Sequence, residues 1–288
     1  MREEAVPVRG ATLWAATTGK GSEAVVLCHG GPGLSDNLEP VASMIEDLAE
    51  VHRFDQRGGG RSTGSPPFVV NDFIEDLEAL RVHWQHDSWI VGGHSWGGWL
   101  ALLYAIAHPD RVSGLSGIGV PPPPSAFHDK YRSERARRLH DDELAFLDEI
   151  SAKRRNGEVV SPEDERRWLH LLWKTEFADP EKAPDFDRVP LFAFPANQEV
   201  NRSVVKDLNH IAATRDLSAE FRTIIAPALF LHGRSDPRPA AIELIEAMPD
   251  SSLVLIPGAG HLPWLENYSA VRDAIRQILW RVGSIRHI

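Results

Sequence analysis

The stretch "VGGHSWGGWLALLYAIAHPDR", residues 91–111, holds a serine, Ser95, alone among glycines. A short apolar run precedes it and a long apolar stretch follows. Gly93-His94-Ser95-Trp96-Gly97 fits the pattern G-x-S-x-G between a strand and a helix. On so sharp a turn the hydroxyl projects above a sheet, and the flanking residues must be small for strand and helix to approach. The backbone N–H of Trp96 then points from a helix N-terminus toward a bound carbonyl. Serine is a weak nucleophile at neutral pH and needs a base, itself oriented by a third group.

Thirteen histidines compete to be that base. Ligands of doubly wound sheets bind beyond the carboxyl ends of the strands, so position selects among them. His261, in "PGAGHLPWLE", follows the last strand, and glycines let its loop bend inward. His232 reads as a turn residue before Gly233. His83 and His86, spaced i,i+3, are within reach of a metal but read better as a solvated face, and no metal ligand set is assigned. For the acid, "HGRSDPRP" places Asp236 just after the strand 227–232, in the chain order Ser, Asp, His. Asp216 and Asp250 follow no strand end. "HGGPG" (29–33) after the first buried strand brings backbone amides toward an oxyanion. In "FDQRGGGRS" (54–62), Asp55, Arg57 and Arg61 read as an ion-pair scaffold for the neighbouring loops.

These residues need a framework. "AVVLCH" (24–29), "VHRFD" (51–55), "SWIVGG" (88–93) and "VSGLSGIG" (112–119) read as strands. "DNLEPVASMIEDLAE" and "NDFIEDLEALRVHWQH" read as amphipathic helices, the second capped by Asn71 or Asp72, and "GWLALLYAIAH" as a buried one. Strand–helix alternation implies a parallel sheet covered on both faces. The rhythm breaks at "PPPP" (121–124), resumes at "PALFLHG" (227–233), and continues through "PAAIELIEAMP", "SSLVLIPG" and a last helix "NYSAVRDAIRQILWRVG". The expectation is one α/β core formed by 1–120 and 211–288, with a helical cap at 121–210 inserted after the sixth strand; a structureless loop of that length is uncommon.

The 288 residues, 42 % hydrophobic and 25 % charged, supply a large globular core. A net charge of −10, with no basic cluster beyond "ERARRLH", argues against nucleic acid. No run of 18 apolar residues suggests a membrane span. The N-terminus lacks the apolar stretch of a secretory signal. A single cysteine, Cys28, fits a reducing cytoplasm. Oligomeric state is not legible.

Together "HGGPG", "DQRGGGRS", "GGHSWGG", "GRSD" and "GAGH" resemble the prolyl iminopeptidase family of α/β-hydrolases over the core segments. The resemblance implies a cofactor-free serine aminopeptidase acting on a small-molecule or short-peptide substrate and releasing an N-terminal proline or small apolar residue. By motif position it implies Ser95 as nucleophile, Asp236 and His261 as its partners, and Gly31 and Trp96 as oxyanion donors. It also implies cap glutamates that hold the substrate amine, for which Glu176 and Glu199 are the candidates. Trp168, Trp173, Phe177, Phe192 and Phe194 are candidates to line that lid. The competing reading is a carboxylesterase or lactonase with the same machinery and no amine site.

Overall fold

The computed structural model describes residues 1–185 and 194–286, without the side chains of 284–286. Eight strands form one sheet: β1 (Arg2–Val8), β2 (Ala11–Thr18), β3 (Glu23–Cys28), β4 (Ala49–Phe54), β5 (Trp89–His94), β6 (Val112–Ile118), β7 (Ala228–Gly233) and β8 (Ser251–Ile256). Their order is β1-β2-β4-β3-β5-β6-β7-β8. β1 and β2 are antiparallel to their neighbours and the rest run parallel. The chain steps from β3 to β4 on one side, then returns to place β5 on the other. The crevice of a doubly wound sheet therefore opens beyond β3 and β5. Register aligns the loops there: Cys28 lies opposite both Phe54 and Gly93, so the three glycine-rich loops leave the sheet side by side.

Side chains alternate across the sheet. Val26 and Cys28 face one apolar layer with α2 (Val70–His83), α3 (Trp96–Ala107), α7 (Gln198–Thr214) and α8 (Leu217–Phe221). Val25 and Leu27 face the other, with α1 (Glu39–Ser43) and α11 (Tyr268–Arg286). Between β6 and β7 the described residues are helical: α4 (Pro124–Ala136), α5 (Asp141–Arg155), α6 (Pro162–Lys174), then α7 and α8. α7 continues to Thr214, past the boundary expected at 210, and buries Val200, Val204 and Leu208. α9 (Ile242–Ala247) and the short α10 (Pro263–Glu266) complete the helices.

Three local expectations change. The helix expected over 36–50 shrinks to α1, because Ala49 already pairs with Glu23 as the start of β4 and residues 44–48 are consumed in turns. Neither Asn71 nor Asp72 caps α2; Val69 holds that position, and the Val70 N–H donates to Asp207 Oδ2 of α7 at 2.7 Å. The N-terminal hairpin of β1 and β2 was not expected. It turns at Arg9-Gly10 and buries Leu13 and Ala15.

The loop after β4 holds the ion pairs that its charges suggested. Arg57 meets Asp76 of α2 through Nε at 2.7 Å and Nη2 at 2.6 Å, both side chains buried. Asp55 accepts the Arg61 Nε at 2.6 Å and the Asp36 backbone N–H at 2.6 Å. Removing one partner of a buried pair leaves the other charge uncompensated, at a cost of about 3–5 kcal/mol. Asp76→Ala should lower unfolding stability in urea by that amount, and the apolar pair Arg57→Met/Asp76→Leu should restore most of it.

Candidate active site

Ser95 sits between β5 and α3 with φ 54° and ψ −115°, a conformation that non-glycine residues rarely adopt. The surroundings enforce it. A Cβ on Gly93 would lie 2.2 Å from the carbonyl carbon of Gly97, and one on Gly97 would lie 2.0 Å from the Cys28 oxygen. The Ser95 N–H donates to Ile118 O at 2.8 Å, which ties the turn to β6. The sequence requires small residues here because backbone meets backbone.

Asp236 and His261 come from the loops after β7 and β8. His261 Nδ1 and Asp236 Oδ2 are 2.7 Å apart, and the Asp236 side chain is fully buried. Burial opposes its charge, yet the nearby His261, its hydrogen bond, His232 and Arg238 outweigh that and hold the carboxyl below its ordinary value. Its Oδ1 accepts the Arg238 N–H at 2.8 Å. The alternative acids are engaged elsewhere: Asp216 caps α8 through Ala219 N at 2.9 Å, and Asp250 pairs with Arg281. His232 Nε2 bonds Arg238 O at 3.0 Å and lies 3.5 Å from Asp236.

Ser95, His261, Gly31 and Glu176 line one cavity of about 330 Å³, together with Tyr131, Leu169, Leu172, Trp173, Gln198, Asn201 and Arg238. Glu176 accepts from Tyr131 Oη at 2.6 Å and is paired with the Arg238 guanidinium. Burial pushes its pKa up, but Arg238, His261 and the hydrogen bonds prevail and bring it to about 2. Glu199 is exposed in the first turn of α7 and does not line the cavity, whereas Gln198 and Asn201 of the same turn do. Of the aromatic candidates, Trp173 lines the cavity and Phe177 packs behind it at 4.7 Å. Trp168 stacks on Arg154, Phe194 lies near Arg61, and Phe192 falls outside the described residues.

Four groups that sequence reasoning did not single out hold this arrangement. Gln56 donates its amide to His29 O at 2.7 Å and accepts the Trp96 indole N–H at 2.7 Å, while its backbone N–H reaches His29 Nε2 at 3.1 Å. One side chain thus links all three glycine-rich loops. His94, the residue before the serine, faces His261 O with Nε2 at 2.9 Å. A carbonyl only accepts, so His94 carries its proton there. Glu266 accepts both Gly260 N at 2.6 Å and Ala178 N at 2.8 Å. Arg138 donates to Thr175 O, Phe177 O and Ser235 O at 2.9, 2.7 and 2.6 Å. Apart from Gly260, six residues before Glu266, their partners are distant in sequence, so only the repeated glycines point to the region.

The family profile for the alpha/beta hydrolase fold matches residues 23–268. The chain belongs to the alpha/beta hydrolase fold family. A probable proline iminopeptidase of Leptolyngbya boryana is 30 % identical over 273 residues, covering 82 % of this chain and 80 % of that protein. The crystal structure of the proline iminopeptidase of Mycobacterium smegmatis superposes with a TM-score of 0.72 at 19 % identity, over 99 % of this chain and 100 % of the other. A thermophilic esterase from Thermogutta terrifontis gives 0.67 at 23 % identity, over 98 % and 99 %. This hydrolase groups with the proline iminopeptidases by sequence and shares its fold with enzymes of other names. No helix of its described residues is long and apolar enough to cross a membrane.

The Glu176 carboxylate, ordinarily 4.5, is depressed to about 2 in the folded hydrolase. Its stabilising contribution is therefore complete above pH 4.5 and disappears as pH falls toward 2. Urea unfolding should find wild type more stable than Glu176→Gln by about 3 kcal/mol at pH 7, with the gap closing across that acid window.

Proposed function

We propose that this enzyme is a serine hydrolase that works through an acyl-enzyme, and that it releases an N-terminal proline or small apolar residue from a peptide or amide. The observation that carries the reading is that His261, bonded to the buried Asp236, lines one cavity with the strained Ser95. With Nδ1 bound to Asp236, the His261 Nε2 is the ring nitrogen left to take the Ser95 proton as Oγ attacks the scissile carbonyl. The imidazolium so formed faces a fixed carboxylate, and it returns its proton to the leaving amine. A water then repeats the sequence on the ester and frees the acid. The amides of Gly31 and Trp96 are the proposed donors to the tetrahedral oxyanion; one such donor is worth about 2.7–4 kcal/mol at the transition state. No cofactor enters this chemistry, and one buried cysteine supports a reducing, cytoplasmic setting.

The α-ammonium of the substrate is assigned to Glu176, whose side chain is 12 % exposed at the cavity wall. Glu199, exposed outside the lining, is left with no role in this reading. One observation favours a second reading. Glu176 already serves Arg238 and Tyr131, so an incoming cation must share it, and a neutral ester need not. Proline p-nitroanilide, its N-acetyl form and p-nitrophenyl acetate separate the two. A charge-assisted contact contributes about 1.5–3 kcal/mol. Glu176→Gln should therefore lose about 10- to 150-fold in kcat/KM on the free-amine anilide and far less on the ester, and acetylation should cost wild type a similar factor. Turnover of the ester with the anilides inert overturns the aminopeptidase reading in favour of the esterase; equal damage to all three overturns Glu176 as the amine ligand and points to a disturbed cap.

A further inference from the structure

On the α2-facing side of the sheet, away from the catalytic cavity, two imidazoles meet. His52 of β4 and His86 approach through their Nε2 atoms at 2.8 Å. Glu50, two residues before His52 and thus on the same face of β4, brings a carboxylate oxygen within 4.8 Å of one ring nitrogen of each histidine. None of the three lines the cavity that holds Ser95.

His86 does not reach this place as a helix residue. α2 ends at His83, whose Nε2 goes instead to Glu4 at 2.9 Å. The chain then reverses through Gln85 at φ 62°. Gln85 N donates to Val82 O at 3.1 Å and His86 N to Arg81 O at 3.2 Å, the paired bonds of a left-handed helix terminus. Glycine is usual at that position; glutamine there carries strain, and the reversal turns His86 back onto the sheet. Arg81 fixes the turn by donating to His86 O.

His52 is equally constrained. Its Nδ1 lies 3.0 Å from Oγ1 of Thr17, directly opposite on β2, and its ring stacks on Trp84 at 4.0 Å and 14°. In the tautomer whose Nδ1 donates to Thr17, the His52 Nε2 lone pair faces His86.

We propose that Glu50, His52 and His86 form a binding site for a divalent late transition metal such as Zn²⁺. Two imidazoles and one carboxylate, with water as fourth ligand, suit that ion. Tetrahedral bonds of about 2.0–2.1 Å place two ligand nitrogens about 3.3 Å apart, so the pair need open by only about half an ångström. The ion replaces the N–H···N bridge, and His86 moves its proton from Nε2 to Nδ1. Thr17 supplies the outer contact that orients a ligand ring. Bound metal ties β4 to the end of α2, a structural role separate from catalysis.

Titration calorimetry with Zn²⁺ alone, and with Co²⁺ followed by its visible absorption, tests the site. Wild type should bind one equivalent and unfold at a higher temperature with Zn²⁺ than with chelator. His86→Ala and Glu50→Gln, with unchanged circular dichroism, should each weaken binding more than tenfold. Thr17→Val should weaken it about 10- to 100-fold, the range for outer partners of a metal ligand. Absence of stoichiometric binding by wild type, or wild-type titration by both His86→Ala and the more conservative His86→Gln, overturns the proposal.

Discussion

The position of one imidazole governs the rest of the site. His261 is held at Nδ1 by Asp236, at its carbonyl by His94 and at its N–H by Glu176 O at 2.7 Å. These three contacts come from the loop after β7, the end of β5 and the segment after α6. Each partner is itself anchored. Asp236 is tied through Arg238, and the chain around Glu176 is laced to both loops by Arg138 and Glu266. The helical insertion therefore does more than cover the cavity. Its residues 175–178 form part of the framework that fixes the histidine, so in the proposed mechanism substrate recognition and proton transfer would share one set of hydrogen bonds.

The sheet supplies the opposite wall. Because Cys28, Phe54 and Gly93 lie level, the loops after β3, β4 and β5 emerge together, and Gln56 joins them through His29 and Trp96. The backbone strain at Ser95 persists because close packing around Gly93 and Gly97 leaves no room to relax. Two carboxylates flank His261: Asp236, bonded to its Nδ1 behind the cavity wall, and Glu176, which lines the cavity and is neutralised by Arg238.

Much of this was legible in the sequence because local rules and global fold agree there. Parallel strands read as apolar runs, and the glycines around Ser95 mark unavoidable backbone contacts. The N-terminal hairpin was missed because an edge strand such as "REEAVPV" carries charges that mask its alternation. The helix before β4 is shorter than its pattern suggests because the apolar spacing, through Val41, Ala42 and Ile45, continues into turns that bury the same side. The cap of α2 is supplied by Asp207, 137 residues away, which no local pattern encodes. Nor does local pattern encode which face of α7 looks into the cavity. Its first turn presents Gln198 and Asn201 there, and helical phase turns Glu199 outward. Glu176, by contrast, reaches the cavity from the turn after α6.

In the proposed mechanism Ser95 becomes covalently acylated with His261 as its base. Mass spectrometry of the protein after treatment with a fluorophosphonate reads this directly. One phosphonyl group should be found per chain, on the peptide containing Ser95, and its rate of attachment should fall by about 10³-fold or more in His261→Ala. Labelling on another residue, no labelling, or an unchanged rate without His261 would contradict the account.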